Sequence, residues 1–173
     1  MGIYLETTPI DCEAAPIHGQ TPEFSRIPPE NVLTVDVGTI AIGSIHNSFR
    51  SEGFDLCSGI AIKDPFEETF GFFHVFPGQG LLDDDIETLL PLADGHLCLI
   101  QGSKSTEKRR MLRDLFTILG IEHTHTIPVD TRAMNGKSLN FHAVYRPAEN
   151  QVLVARIYHK DILTFPAFTS YPF

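Results

Sequence analysis

A thiol beside an imidazole makes a nucleophile and its base. One pair in this chain has the spacing to come together. Cys57 opens the run Cys57-Ser58-Gly59-Ile60-Ala61-Ile62, and His74 lies in Thr69-Phe70-Gly71-Phe72-Phe73-His74-Val75-Phe76. Both runs read as strands. Lys63-Asp64-Pro65-Phe66-Glu67-Glu68 between them carries turn chemistry, with Asp-Pro as the initiator. A hairpin centred between Pro65 and Phe66 pairs Ile62 with Thr69 and sets Cys57 directly opposite His74. Opposed residues share a face, with Cβ atoms about 4.5–5.5 Å apart. The same register sets Gly59 against Phe72, Ala61 against Phe70 and Ile60 against Gly71, small against large. A slip of one residue would send the thiol and the imidazole to opposite faces.

Such a pair suits acyl transfer: attack on an amide or ester carbonyl, then hydrolysis. A third group usually orients the imidazole. Ser51 and Thr69 are the nearest candidates in sequence, with Gln79 and Asn47 behind them. Ser58, Gln79 and Thr69 are also candidate substrate contacts. Backbone N–H groups around Leu56-Cys57-Ser58 offer an oxyanion site. The competing reading is plain: a lone cysteine is more often a small buried hydrophobe, and a lone histidine a satisfied core residue. Cys98, in the apolar run His96-Leu97-Cys98-Leu99-Ile100, fits that description.

The other motifs carry less. His123 and His125 alternate on a predicted strand and would share a face, but a metal site needs a further ligand such as His142, and no known ligand signature is present. There is no nucleophile elbow of the G-x-S-x-G kind and no glycine-rich phosphate loop. No cofactor is implied.

The formal net charge of −9 argues against nucleic acid and against an anionic membrane surface, since both attract Lys and Arg. No apolar run approaches the length of a membrane span. The first residues lack the regions of a signal peptide. Three cysteines, an odd and sparse count, fit a reducing, cytoplasmic setting. A hydrophobic content of 42% over 173 residues supports one real core.

Residues 1–30 hold Pro9, Pro16, Pro22, Pro28 and Pro29 with little periodicity, and read as an irregular leader. Strands are expected at 32–35 and 39–45, and a polar loop at 47–55. After the hairpin, Asp83-Asp84-Asp85 marks a helix start, where the macrodipole favours acid, with the short helix over 86–92. A buried strand follows at 97–101. The stripe Leu112, Leu115, Phe116, Leu119 predicts the strongest helix, closed by Gly120. Strand 121–127, a loop with Asn135-Gly136, and a hairpin of 139–146 with 152–158 complete a domain spanning 31–160. An aromatic tail, 161–173, either docks on the body or stays sticky. This order is a mixed-sheet α/β or α+β domain and not a doubly wound one.

From Val37 to Ile157 the chain resembles the CheD family, the chemoreceptor glutamine deamidases. Val37-Gly38 followed by Ala41 is similar to that family's opening strand. The stretch from Cys57 through Asp64-Pro65 to Gly71 and His74-Val75-Phe76-Pro77 looks like its catalytic hairpin, in the seventeen-residue Cys–His step and in the proline three residues after the histidine. The later order of apolar strand, Gly102, long helix, Gly120-Ile121, strand, Asn135-Gly136 loop and closing hairpin is also similar. The resemblance implies a layered α/β/β/α-type domain with mixed sheets, as in the wider Cys–His deamidase group of the cytotoxic necrotizing factor type. It implies deamidation of a protein glutamine, with Cys57 as nucleophile, His74 as base and Ser51 where the family carries a catalytic threonine. The partner would be a protein with an exposed Gln: a chemoreceptor, or a host protein if the chain is a secreted effector. Alternatives are a glutamyl methyl ester hydrolase and a catalytically silent binding module. Asp55-Leu56 stands where the family has Gly-Ser, only Gly71 remains of a Gly-Gly pair, and the leader and tail are extra.

Overall fold

Leu139, Phe141, Ala143 and Tyr145 alternate with Asn140, His142, Val144 and Arg146, and this period of two folds as a strand with its first set buried. The same rule organises the rest of the chain. The computed structural model describes residues 31–105, 107–132, 139–158 and 169–173. In order, the elements are β1 (Val32–Thr34), β2 (Ile40–Gly43), β3 (Ser48–Phe54), β4 (Ser58–Lys63), β5 (Phe70–Val75), α1 (Asp83–Leu89), β6 (His96–Gly102), α2 (Arg109–Leu119), β7 (Glu122–Val129), β8 (Leu139–Arg146), β9 (Gln151–Tyr158) and β10 (Thr169–Pro172).

The strands form two mixed sheets of five, ordered β2-β5-β4-β6-β7 and β1-β3-β8-β9-β10. β6–β7 and β1–β3 are parallel pairs, and the other pairs are antiparallel. The sheets pack through Phe49, Phe54, Phe72, Ile100, Phe141 and Tyr145. On the other face of the first sheet, Ile60, Ile62, Phe73 and Val75 meet Leu89 of α1 and Met111, Leu115 and Leu119 of α2. The class is therefore the layered, mixed-sheet α+β domain expected. Both α-helices among the described residues lie on the first sheet, so the order seen there is helix, sheet, sheet.

Three expectations need correction. The segment 47–55, read as a polar loop, is β3: Phe49, Ser51 and Phe54 are buried while Arg50 and Glu52 are exposed. Its inward positions include a serine, and its pairing with β8 shifts between Ser51 and Phe54, so strict alternation is broken. The helix stripe turns to Met111, Leu115 and Leu119, leaving Phe116 exposed. Gly120 does close α2, with φ +66°. The short helix begins at Asp83, where the Asp85 carboxylate accepts the Leu82 N–H at 2.9 Å, and the chain tightens into a 3₁₀ turn over Leu90–Leu92.

The last five residues dock: β10 pairs with β9, and the buried Phe173 ring lies against Tyr145 and His125. The leader 1–30, the Asn135-Gly136 loop and residues 159–168 lie outside the described residues.

Candidate active site

Three neighbouring segments build the site. β5 delivers His74, the adjoining sheet delivers Ser51 from β3, and Cys57 stands one residue before β4. The hairpin register differs from the expected one by two residues. Ile62 pairs with Gly71, Ile60 with Phe73, and Gly59, not Cys57, stands opposite His74. The turn fits this register. Asp64 N–H donates to the Thr69 carbonyl at 3.0 Å, closing a loop of only 65–68, and the Asp64 carboxylate accepts the N–H groups of Glu68 and Thr69 at 2.7 and 3.1 Å. A shift of two keeps every side chain on its face. Cys57 is thus diagonal to His74 on the shared face. Gly59 stands between them with no side chain, and a Cβ there would meet Phe72 and Ile100 at 3.2 Å.

His74 is fully buried. Its backbone is fixed on both sides, N–H to the Thr39 carbonyl and carbonyl from the Gly38 N–H. Its ring stacks on Phe54, centroids 3.8 Å apart at 15°. Ser51 Oγ lies 2.8 Å from Nδ1 and 2.5 Å from the Val35 carbonyl oxygen. A carbonyl only accepts, so the single hydroxyl proton goes to Val35 and the Ser51 oxygen accepts from Nδ1–H. The tautomer follows: the lone pair of His74 sits on Nε2, the atom a general base needs. Nε2 has no hydrogen-bond partner among the described residues. Burial lowers the His74 pKa to about 4, against a smaller opposing effect of Asp36, so the ring is a neutral base at pH 7.

Cys57 is half-buried against the core between the sheets. Burial first, and the Asp55 carboxylate second, push its thiol pKa up. The resting pair is therefore thiol and neutral imidazole, not a thiolate–imidazolium ion pair. The Leu56 and Cys57 N–H groups donate no hydrogen bond among the described residues, which leaves them available to a developing oxyanion.

The other candidates go elsewhere. Ser58 is buried on the opposite face, beside Val75 in the helix-side core, with its Oγ unpartnered. Thr69 sits in the far turn of the hairpin, just before β5 and five residues ahead of His74. Gln79 ties two loops together, Nε2 donating to the Gly38 carbonyl at 3.0 Å and Oε1 accepting the Phe76 N–H at 3.1 Å. Asn47 closes its own turn by accepting the Ser44 N–H. Among the described residues, none of these four side chains hydrogen-bonds to the Cys57 thiol or the His74 ring. No group of three potential metal ligands occurs among the described residues, and His123 and His125 bond locally to Thr126 and Thr124. Cys98 is a buried filler, its pKa raised to about 12 by burial.

Two features had no sequence signal. Phe54 forms the stacking floor of His74. Ser105, 48 residues from Cys57, donates to the Cys57 carbonyl at 2.6 Å. No helix among the described residues is long and apolar enough to cross a membrane. No protein-family model matches the sequence, and no curated protein matches it either.

Proposed function

We propose that this chain is a cysteine hydrolase that deamidates glutamine side chains in a protein substrate. The carrying observation is the Ser51–His74 contact, which holds the imidazole with its Nε2 lone pair free on the face it shares with Cys57. The Cys57 sulfur attacks the carboxamide carbon while Nε2 takes the thiol proton. The oxyanion meets the free N–H groups of Leu56 and Cys57. Collapse expels ammonia, protonated from His74, and leaves a thioester. Water, deprotonated by His74, then releases glutamate and restores the thiol. The likeness of the Cys57–His74 hairpin to that of the CheD family is the second support.

Val37, Leu56 and Phe76 are exposed apolar residues beside the site. Leu56 precedes the nucleophile, Phe76 follows His74 by two residues, and the Phe76 ring lies against Gly38, next to Val37. Such a rim suits a polypeptide rather than a small amide. The partner is read as a cytosolic protein with an exposed Gln, on a chemoreceptor or, for a delivered effector, in a host cell.

A second reading, a binding module that kept the fold without the chemistry, is favoured by the raised thiol pKa. Incubation with candidate proteins decides between them. Deamidation adds about 1 Da at a Gln and disappears in Cys57→Ala, whereas hydrolysis of a glutamyl methyl ester removes about 14 Da. Binding without either mass change would establish the module instead.

A further inference from the structure

We propose that residues 102–105 form a clamp on the nucleophile, with Ser105 a positioning residue for Cys57 and Lys104 holding Asp55. The role of Cys57 as nucleophile rests on the reading above; the clamp itself is a matter of geometry.

Cys57 lies outside the sheet ladder, which starts at Ser58 with its partners Val75 and Gln101. Its position therefore depends on what grips the bend before β4. Ser105 Oγ donates to the Cys57 carbonyl at 2.6 Å and accepts the Gly102 N–H at 3.0 Å. The Ser105 N–H closes the turn onto the Gly102 carbonyl at 2.9 Å. One residue earlier, the Lys104 ammonium forms an ion pair with Asp55. Two successive side chains of one turn thus hold residues 55 and 57, and leave Leu56 between them pointing outward.

The turn is itself anchored. Ser103 N–H donates to the Val129 carbonyl at 2.8 Å, and the Ser103 hydroxyl accepts the Thr131 N–H at 2.9 Å. Lys104 N–H reaches Thr131 Oγ1 at 3.3 Å, and Thr131 is fully buried. A Cβ on Gly102 would meet Phe141 at 3.1 Å and Thr131 at 3.2 Å, so the turn sits hard against the core. The grip is therefore a rigid one, running from the ends of β6 and β7 to the cysteine. The charged and titratable groups around the thiol are Asp55 on its own segment, Lys104 on the clamp and His74 on β5, with Asp36 acting on His74.

Releasing the clamp makes the thiol more accessible, and it disturbs the alignment needed for turnover. The test is iodoacetamide alkylation of Cys57 in the full chain from pH 7 to 11, read as the limiting rate once the thiol is ionised. Ser105→Ala raises that limiting rate at least threefold, and so does Lys104→Ala, while Ser105→Thr, which keeps the hydroxyl, stays within twofold of wild type. Equal limiting rates in all four proteins overturn the clamp. A rise in Lys104→Ala alone removes Ser105 from it. Lys104 is partly solvent-exposed, so that variant reads the clamp even where Ser105→Ala folds poorly. The alkylation assay needs no substrate, so its failure is separable from failure of the deamidase reading. On a glutamine substrate, Ser105→Ala lowers kcat about tenfold with KM unchanged, as misalignment of a nucleophile requires. A change confined to KM overturns the positioning role.

Discussion

Ser51 Oγ stands 2.8 Å from His74 Nδ1 and 2.5 Å from the Val35 carbonyl, so one hydroxyl links three segments and fixes which imidazole nitrogen carries the lone pair. Ser51→Ala leaves a buried Nδ1–H and a buried carbonyl short of a partner. Each loss costs about 1–2 kcal/mol. Urea denaturation should show a loss of about 2–3 kcal/mol overall. Nitrogen NMR of His74 should show a protonated Nδ1 in wild type and a mixture of tautomers in the variant. A wild-type ring protonated at Nε2 would contradict the assignment.

The buried neutral His74 also makes stability depend on pH. Its folded pKa of about 4 lies below the ordinary value of 6.5, so the unfolded chain binds the proton more tightly. The contribution is fully present above pH 6.5 and is lost as pH falls towards 4. Between those limits the total is about 3 kcal/mol. Urea melts at pH 7.5 and 4.5 should therefore differ by about 2–3 kcal/mol more in wild type than in His74→Gln. Parallel pH dependence in the two proteins would mean that His74 takes up a proton without cost.

The thiol moves the other way. With Cys57 raised above an ordinary thiol by burial and by Asp55, alkylation at neutral pH should be slow and should climb through pH 9 without an earlier plateau. His74→Ala should leave that curve in place, because the imidazole is neutral and carries no charge to stabilise a thiolate. A plateau below pH 7 would reveal an ion pair and overturn this view. In the proposed reaction the proton would then leave the thiol during attack, not before it, as in serine hydrolysis.

The apolar rim predicts where affinity resides. Leu56 and Phe76 are 49% and 45% exposed, so a docked protein would cover what remains. Leu56→Ser and Phe76→Ser should each raise KM for a protein substrate by about fivefold, with kcat unchanged, from loss of roughly 1 kcal/mol of apolar burial. Equal losses on a free glutamine amide would place those side chains at the reacting centre instead.

The parts of this site that were legible in the sequence depended on periodicity of two. Cys57 and His74 fall on one face in both the expected and the observed register, since the two differ by an even number. The closing hairpin of β8 and β9 was legible for the same reason, with Phe141, Ala143 and Tyr145 marking its inner face. Ser51 was suggested by nearness along the chain and by the family resemblance, but its place on a strand was hidden, because β3 mixes a serine and a positive-φ glycine, Gly53, into its pattern. Ser105 and Phe54 gave no sign, since their contacts are long-range and of types that occur everywhere. Ser58, Thr69 and Gln79 were suggested by nearness along the chain, and the pleat, the turn and the loop contacts took each of them elsewhere.

The turn that closes this hairpin is the last feature open to test. Asp64 is nearly buried, and its carboxylate accepts two backbone N–H groups that have no alternative in so short a loop. Glu67 adopts φ +56° within it, a conformation held by the surrounding bonds. Asp64→Ala should destabilise the protein by about 2–3 kcal/mol, and Asp64→Asn, which keeps one acceptor oxygen, by less than half of that. The ladder from Ser58 to Lys63 is paired on both sides, with β5 and with β6, so the register should survive the loss of the turn bonds. Cys57 alkylation in Asp64→Ala should then match wild type under folding conditions. Altered reactivity at the opposite end of the hairpin would show that the turn, and not the flanking strands, holds Cys57 and His74 on one face.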